Sequence, residues 1–261
     1  MHYAEHVLPR GPIERIWFAR ADAGHRDTIL PDGSFELIFH LGDAVLQDGV
    51  AQPMAMLVGE TRRPTTIEPA GRIDCVGVRL RHGYAAGVVG APLTEVRDRM
   101  FDLRDVWGAR AARLRDSLGA LERDDARVAL LVDSIHGDGE ELSDAAARAI
   151  LRTGGRVSVS RLASFCGVHV RTLTRAFVRS IGVTPKTLCR LIRLQKAAAL
   201  LRAGEPAAGV AIDTGFTDQS HLINEFRALA GFSPSKYVEL PPGLSAHLLS
   251  DFSNRIEPAA R

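Results

Sequence analysis

Two arginines one helical turn apart, Arg171 and Arg175, are the side chains of this 261-residue chain best suited to bidentate hydrogen bonding with guanine O6/N7. Thr174 stands on their flank. A second cluster, Gln219, Ser220, His221 and Asn224, brings amide, hydroxyl and imidazole groups, and Asn and Gln can read adenine. Nothing of similar coherence points to catalysis or to a metal. His25, His40 and His82 occur singly and form no His-x-His pair, so neither a metal site nor another cofactor is expected. The chain contains no G-x-S-x-G, no glycine-rich phosphate loop and no paired metal-ligand spacing, which argues against an enzyme. Cys75, Cys166 and Cys189 are odd in number and far apart, as suits reduced thiols.

The elements that position those polar groups follow from apolar spacing. Leu162-Ala163, Gly167, Leu173 and Phe177 recur as Val210-Ala211, Gly215, Leu222 and Phe226. In each set Ala permits close helix approach, and Gly supplies the positive φ of a tight turn. The Leu/Phe pair pins a second helix on the first. This is helix-turn-helix geometry, present twice. In the helix expected over 169–179, Leu173, Ala176 and Phe177 are buried, leaving Arg171 and Arg175 outward. In the helix expected over 218–229, Leu222, Phe226 and Leu229 are buried and Asp218 is the N-cap. Between the two units, 184–203 reads as one helix, with Thr184 as N-cap, Pro185 at the first position and Gly204 as the stop. Its span of roughly 30 Å at about 1.5 Å per residue is near the roughly 34 Å between successive major grooves on one DNA face.

The segment 157–240 resembles the DNA-binding domain of the AraC/XylS family of transcription regulators. The resemblance is carried by Leu162-Ala163, Gly167, Arg171, Leu173, Arg175, Phe177, Ile181-Gly182, Thr184-Pro185, Gly215-Phe216, Asp218-Gln219-Ser220-His221, Gly231-Phe232 and Pro234. It implies seven helices, two helix-turn-helix units and asymmetric sites on double-stranded DNA. Three positions depart from the family pattern. His169 replaces a Ser or Thr N-cap, Asn224-Glu225 replaces an Arg-Thr or Arg-Ala pair, and Val238 replaces an Arg after the Tyr. The first unit is therefore expected to dominate affinity.

Earlier in the chain, 13–19, 35–41, 54–58 and 73–80 read as short strands, and 107–121, 125–136 and 143–151 as helices. The runs 31–42 and 71–80 are similar to a small-barrel N-terminal domain, cupin-like in outline, found in one subgroup of these regulators. The expected fold class is α+β in two domains. An antiparallel β-barrel with a helical connector precedes an all-α domain with two helix-turn-helix units. The boundaries expected are 1–101 for the barrel, 102–155 for the connector and a dimerisation surface, 156–240 for the DNA-binding domain, and 241–261 for a tail. A barrel of this size can enclose one small ligand, with Trp17, His40, Glu60, Arg79 and Tyr84 as candidate lining residues. Packing of the connector helices against the barrel in the same chain is weighed equally with a dimer interface.

The formal charge of +2 conceals an asymmetry, because residues 1–150 carry 18 basic against 24 acidic side chains and residues 151–261 carry 15 against 7. Only the second part is expected to meet a polyanion. No stretch suits a membrane span or a secretory leader, so the expected location is cytoplasmic, at the nucleoid. Expected partners are promoter DNA, a small-molecule effector, a second copy of the chain, and RNA polymerase if the outcome is activation. The alternatives are a ligand-independent regulator whose barrel only dimerises, and an enzyme fused to a DNA-binding domain. The latter needs a reactive cysteine, a role to which neither Cys166 nor Cys189 is suited by its position.

Overall fold

The computed structural model describes residues 1–22, 26–61, 63–90, 93, 96 and 99–241. His25, Ala91, Pro92 and the tail after Pro241 lie outside the described residues.

The first part contains the strands β1 (His2–Val7), β2 (Ile13–Ala21), β3 (Asp27–Ile29), β4 (Phe35–His40), β5 (Val45–Gln47), β6 (Val50–Ala51), β7 (Ala55–Val58), β8 (Thr65–Pro69), β9 (Ile73–Leu80) and β10 (Met100–Asp102). They form two antiparallel sheets, one in the order β1-β2-β9-β4-β7-β10 and a smaller one in the order β3-β8-β5-β6. The strands follow from period-two alternation. In β4, Phe35, Leu37 and Phe39 face one way and Glu36, Ile38 and His40 the other, yet all except Ile38 are buried. In β9, Val76, Val78 and Leu80 oppose Cys75, Gly77 and Arg79 in the same manner. The larger sheet is thus covered on both faces. Its apolar face packs under helices, and its mixed polar face looks towards the smaller sheet.

The covering helices are α1 (Ala85–Val89), α2 (Leu103–Trp107), α3 (Ala109–Ala120) and α4 (Asp124–Ser134). Ala85, Val88, Leu114, Leu118 and Leu131 share a core with Ile16, Phe18, Leu37 and Val78 of the sheet. The apolar faces of α3 and α4 are therefore used within the chain. Arg20 of β2 ties α4 down by pairing with Asp124. The helix expected over 107–121 is present as α3, starting after Gly108 at φ +59°, and the Asp102 carboxylate, accepting from the Arg104 N–H, caps the additional short α2 before it.

The second part comprises α5 (Glu141–Arg152), α6 (Val159–Phe165), α7 (Val170–Ile181), α8 (Pro185–Arg202), α9 (Ala207–Thr214), α10 (Gln219–Ala230) and α11 (Pro234–Glu239). α5 was expected in the connector. Its Ala146, Ala147 and Ile150 instead pack with Leu162, Leu173, Phe177 and Ile192 in one core. The two parts meet closely. Leu30, just after β3, sits in the core formed by Leu191, Leu194, Ala198 and Phe226 of the second part. Gly182, which ends α7 in the left-handed region, lies in contact range of Phe35 and Leu93.

Candidate nucleic-acid interface and interior cavity

The first helix-turn-helix is α6 and α7. Ser158 caps α6 by accepting from the Arg161 N–H, while His169 offers no side-chain bond at the start of α7. Leu173 and Phe177 are fully buried, which fixes the rotation of α7 and leaves Arg171 and Arg175 exposed. Thr174 is half-buried, and its hydroxyl donates to the Val170 carbonyl at 2.8 Å.

The second unit is α9 and α10. Gly215, at φ +79°, makes the turn, and Asp218 caps α10 by accepting from the His221 N–H at 2.8 Å. Leu222 and Phe226 are buried, whereas Gln219, Ser220 and Asn224 are exposed. His221 is less free than its neighbours. Its ring stands edge-on to Phe216, and the Thr217 N–H donates to Nδ1 at 3.2 Å. That bond leaves Nε2 carrying the proton of the neutral ring.

α8 joins the units. Thr184 caps it by accepting from the Thr187 N–H, and Pro185 occupies the first turn of its 18 residues. Their length is about 27 Å at about 1.5 Å per residue. Two of its arginines, which spacing alone did not single out, hold the second unit in place. Arg190 donates to both Glu225 oxygens at 2.8 and 3.2 Å, and Arg193 lies over the Phe216 ring while donating to the Gly215 carbonyl. Glu225, one of the departures from the family pattern, thus serves as an anchor for α10.

Between the two sheets lies a cavity of about 570 Å³. That volume is in the range of small-molecule sites. Of the candidate lining residues, Trp17, His40 and Arg79 stand on its wall. Glu60 is buried between the lining residues Gly59 and Thr61 but is not itself in the wall. Tyr84 lies elsewhere, its ring against Gly139 beside a separate depression. The sequence reading missed Asp32, Glu36 and Gln52. Glu36 carried a signal, since it shares the alternation of Ile38 and His40 in β4. Asp32 was read only as part of a turn.

One end of the wall is a neutral relay. The Cys75 thiol lies 3.0 Å from His40 Nδ1, His40 Nε2 lies 3.0 Å from Gln52 Oε1, and the Gln52 amide donates to Gln47 Oε1. Burial pushes the Cys75 thiol up to about 12, with Asp74 adding to it, and pushes the His40 imidazole down against the Gln52 hydrogen bond. Both groups are therefore uncharged at neutral pH. The other end is ionic. Arg79 Nε donates to Glu36 Oε1 at 2.8 Å and Nη2 to Asp32 Oδ2 at 2.6 Å. Burial opposes the charge on Arg79, but Asp32 and Glu36 outweigh it and hold the guanidinium protonated. Burial raises the Glu36 carboxyl even with Arg79 beside it, and Asp32 raises it further.

The ionic end touches the second part of the molecule. Asp32 Oδ1 accepts from the backbone N–H and hydroxyl of Ser34, shaping a tight turn. On the far side of that turn, the buried amide of Gln195 in α8 donates to the carbonyls of Pro31 at 2.7 Å and Leu30 at 3.3 Å. Gly33, at φ +73°, passes so close to α8 that a Cβ there would lie 2.8 Å from Leu188 Cδ1 and 3.2 Å from Leu191 Cδ1.

Residues 162–239 match the model of a helix-turn-helix domain, and residues 10–102 match a domain of unknown function, DUF6597. The second part contains a helix-turn-helix domain of the AraC type. The chain is 36% identical over 90 residues to a probable thc operon regulatory protein of Rhodococcus erythropolis, covering 33% of this chain and 27% of that one. It is 35% identical over 66 residues to the uncharacterized HTH-type transcriptional regulator YbfI of Bacillus subtilis (strain 168), covering 25% and 24%. It therefore spans about a quarter of the length of the curated relatives it matches. Among solved structures, ToxT from Vibrio cholerae aligns over 90% of this chain and 97% of its own, at 10% identity and a TM-score of 0.47. Among the described residues, no helix is long and apolar enough to cross a membrane.

Proposed function

We propose that this chain is a sequence-specific regulator of transcription that grips double-stranded DNA with α7 and α10 and is controlled by a small molecule held between the two sheets. The observation that carries the first half is the paired exposure of Arg171 and Arg175 on a helix whose opposite face is locked by Leu173 and Phe177. In this reading both arginines read guanine edges and Thr174 sits beside the backbone. Gln219, Ser220 and Asn224 face the second groove segment, and His221 contributes through Nε2. A linker of about 27 Å suits two recognition helices on successive turns of one DNA face.

The cavity supports the second half, since a domain serving only to dimerise has no need of an interior space of about 570 Å³. The turn at residues 30–34 supports it further, because it belongs to the cavity on one side and to α8 on the other. Control through a homodimer, and contact with RNA polymerase if the chain activates, are compatible with this reading.

The test is recovery of bound fragments from sheared genomic DNA by the purified chain, followed by titration of the recovered site in a gel shift. An asymmetric site with two elements one helical turn apart is expected. Recovery of no sequence above random fragments would sink the proposal.

A further inference from the structure

The cavity wall holds an unequal charge set. At its ionic end one buried guanidinium, Arg79, is shared by two carboxylates, Asp32 and Glu36, and these are all of Arg79's bonded partners among the described residues. Asp48, Arg63 and Arg99 also border the cavity, but all three are exposed, where water screens them, and the buried Asp27 on the wall accepts from the Thr28 N–H. A carboxylate entering this end would find the Arg79 guanidinium already bonded to two carboxyl groups and, among the described residues, no other buried cation on the wall. An ammonium or amidinium would find acceptor oxygens in both Asp32 and Glu36. In a medium of low effective dielectric that difference decides which ligand is accepted. The rest of the space is suited to an apolar body, since Trp17, Ile38, Met56, Ile67 and Ile73 line it.

We propose that the cavity receives a compact apolar molecule bearing an ammonium or amidinium group, which takes Asp32 and Glu36 into its own coordination in competition with Arg79. This rests on the effector-controlled reading above and gives that effector a chemical class. The consequence for control is local. Asp32 is held between Pro31 and Gly33, the residues that meet Gln195, Leu188 and Leu191 of α8. A ligand that draws Asp32 away from Arg79 acts on the turn that seats the linker helix.

The experiment is isothermal titration of the full chain with matched triads on common skeletons: phenethylamine, 2-phenylethanol and phenylacetate, with the corresponding amine, alcohol and acid of naphthalene. The amine of each triad is expected to bind at least tenfold tighter than its alcohol and its carboxylate. Glu36→Gln should reduce the amine to the affinity of the alcohol. Because that change leaves Arg79 with one buried partner, thermal melting is recorded first, and Asp32→Asn supplies the same reading if Glu36→Gln does not fold. Carboxylates binding as well as amines, an amine preference surviving in the folded variant, or no binding by either amine would each overturn the proposal. A gel shift on the same preparation separates the two readings. If fragment recovery finds no specific site while amines still bind selectively, the regulator reading fails and the cation site stands.

Discussion

Gln195, midway along the helix that joins the two helix-turn-helix units, donates its side-chain amide to the carbonyl of Pro31, 164 residues earlier in the chain, at 2.7 Å. The amide is buried and also reaches the Leu30 carbonyl, so one side chain satisfies two backbone acceptors from the other domain. It fixes the height of the turn at residues 30–34 on α8.

Gln195→Ala should therefore cost more than an ordinary buried truncation. It orphans two carbonyls and opens a gap beneath Leu30, for a loss of about 1–3 kcal/mol. Urea unfolding of the full chain measures it, and a loss under about 0.5 kcal/mol, within the scatter of a neutral surface change, would show that the turn and helix are not coupled.

The two recognition helices should differ in energetic weight. Arg175→Ala should weaken binding to the recovered site by about 1–3 kcal/mol and relax preference at one base. Asn224→Ala should cost less and relax an adenine position. Gel-shift titrations against single-base variants of the site separate the two, and an Asn224 effect larger than that of Arg175 would reverse the assigned order.

Trp17 lies on Gly77 across the β2-β9 pair, and a Cβ at position 77 would overlap indole atoms Cε2 and Cζ2. Gly77→Ala should displace the ring into the cavity, destabilise the chain by about 1–3 kcal/mol and shift tryptophan emission. It should also weaken amine binding, because the displaced ring occupies the ligand's space. Unchanged emission would mean that the ring does not depend on that gap.

Acid should destabilise the chain before its carboxylates are titrated. Burial holds the imidazole of His82 below its usual value near 6.5, against the pull of Glu14, Asp32 and Asp144 and with Arg79 adding to the depression. The unfolded chain takes up that proton below about pH 6.5 and the folded chain does not. Stability is thus complete above that value and falls as pH drops through it, by up to about 1.4 kcal/mol per pH unit for one such group. The difference between wild type and His82→Phe isolates this contribution from Glu36, whose raised carboxyl gives the opposite slope. Parallel pH profiles for the two proteins would refute it.

The DNA-binding half was legible because its chemistry is local. The Leu/Phe pairs, Gly167, Gly215, Thr184-Pro185 and Asp218 each act within a turn or two of the chain, and each occupies the role expected from its type. The strands β1, β3, β5, β6 and β8 were not legible. They are short and mixed in polarity; β1 and β6 pair with their chain neighbours β2 and β5, whereas β3 and β5 depend on the distant β8. α5 was recognised as a helix, but an apolar stripe does not say which core receives it. A cavity with Trp17, His40 and Arg79 in its wall was expected, but not their neighbours Asp32, Glu36 and Gln52. Trp17, His40 and Arg79 come from three strands, and only the register of β2, β9 and β4 brings them together. The contact of Gln195 with Pro31 has no local signature at all.

Leu30 belongs by sequence to the sheet domain and by packing to the core around α8 and α10. The DNA-binding half is thus short of one hydrophobic plug when it stands alone, and the sheet domain left behind would present a bare leucine. Exchanging sensor domains between relatives is accordingly not a neutral operation in this architecture. A chimaera that joins this second half to a foreign first half keeps a hole of leucine size beneath α8 unless the donor carries an apolar residue at the same bend. Such a joint should melt in two separate steps where the parent melts in one.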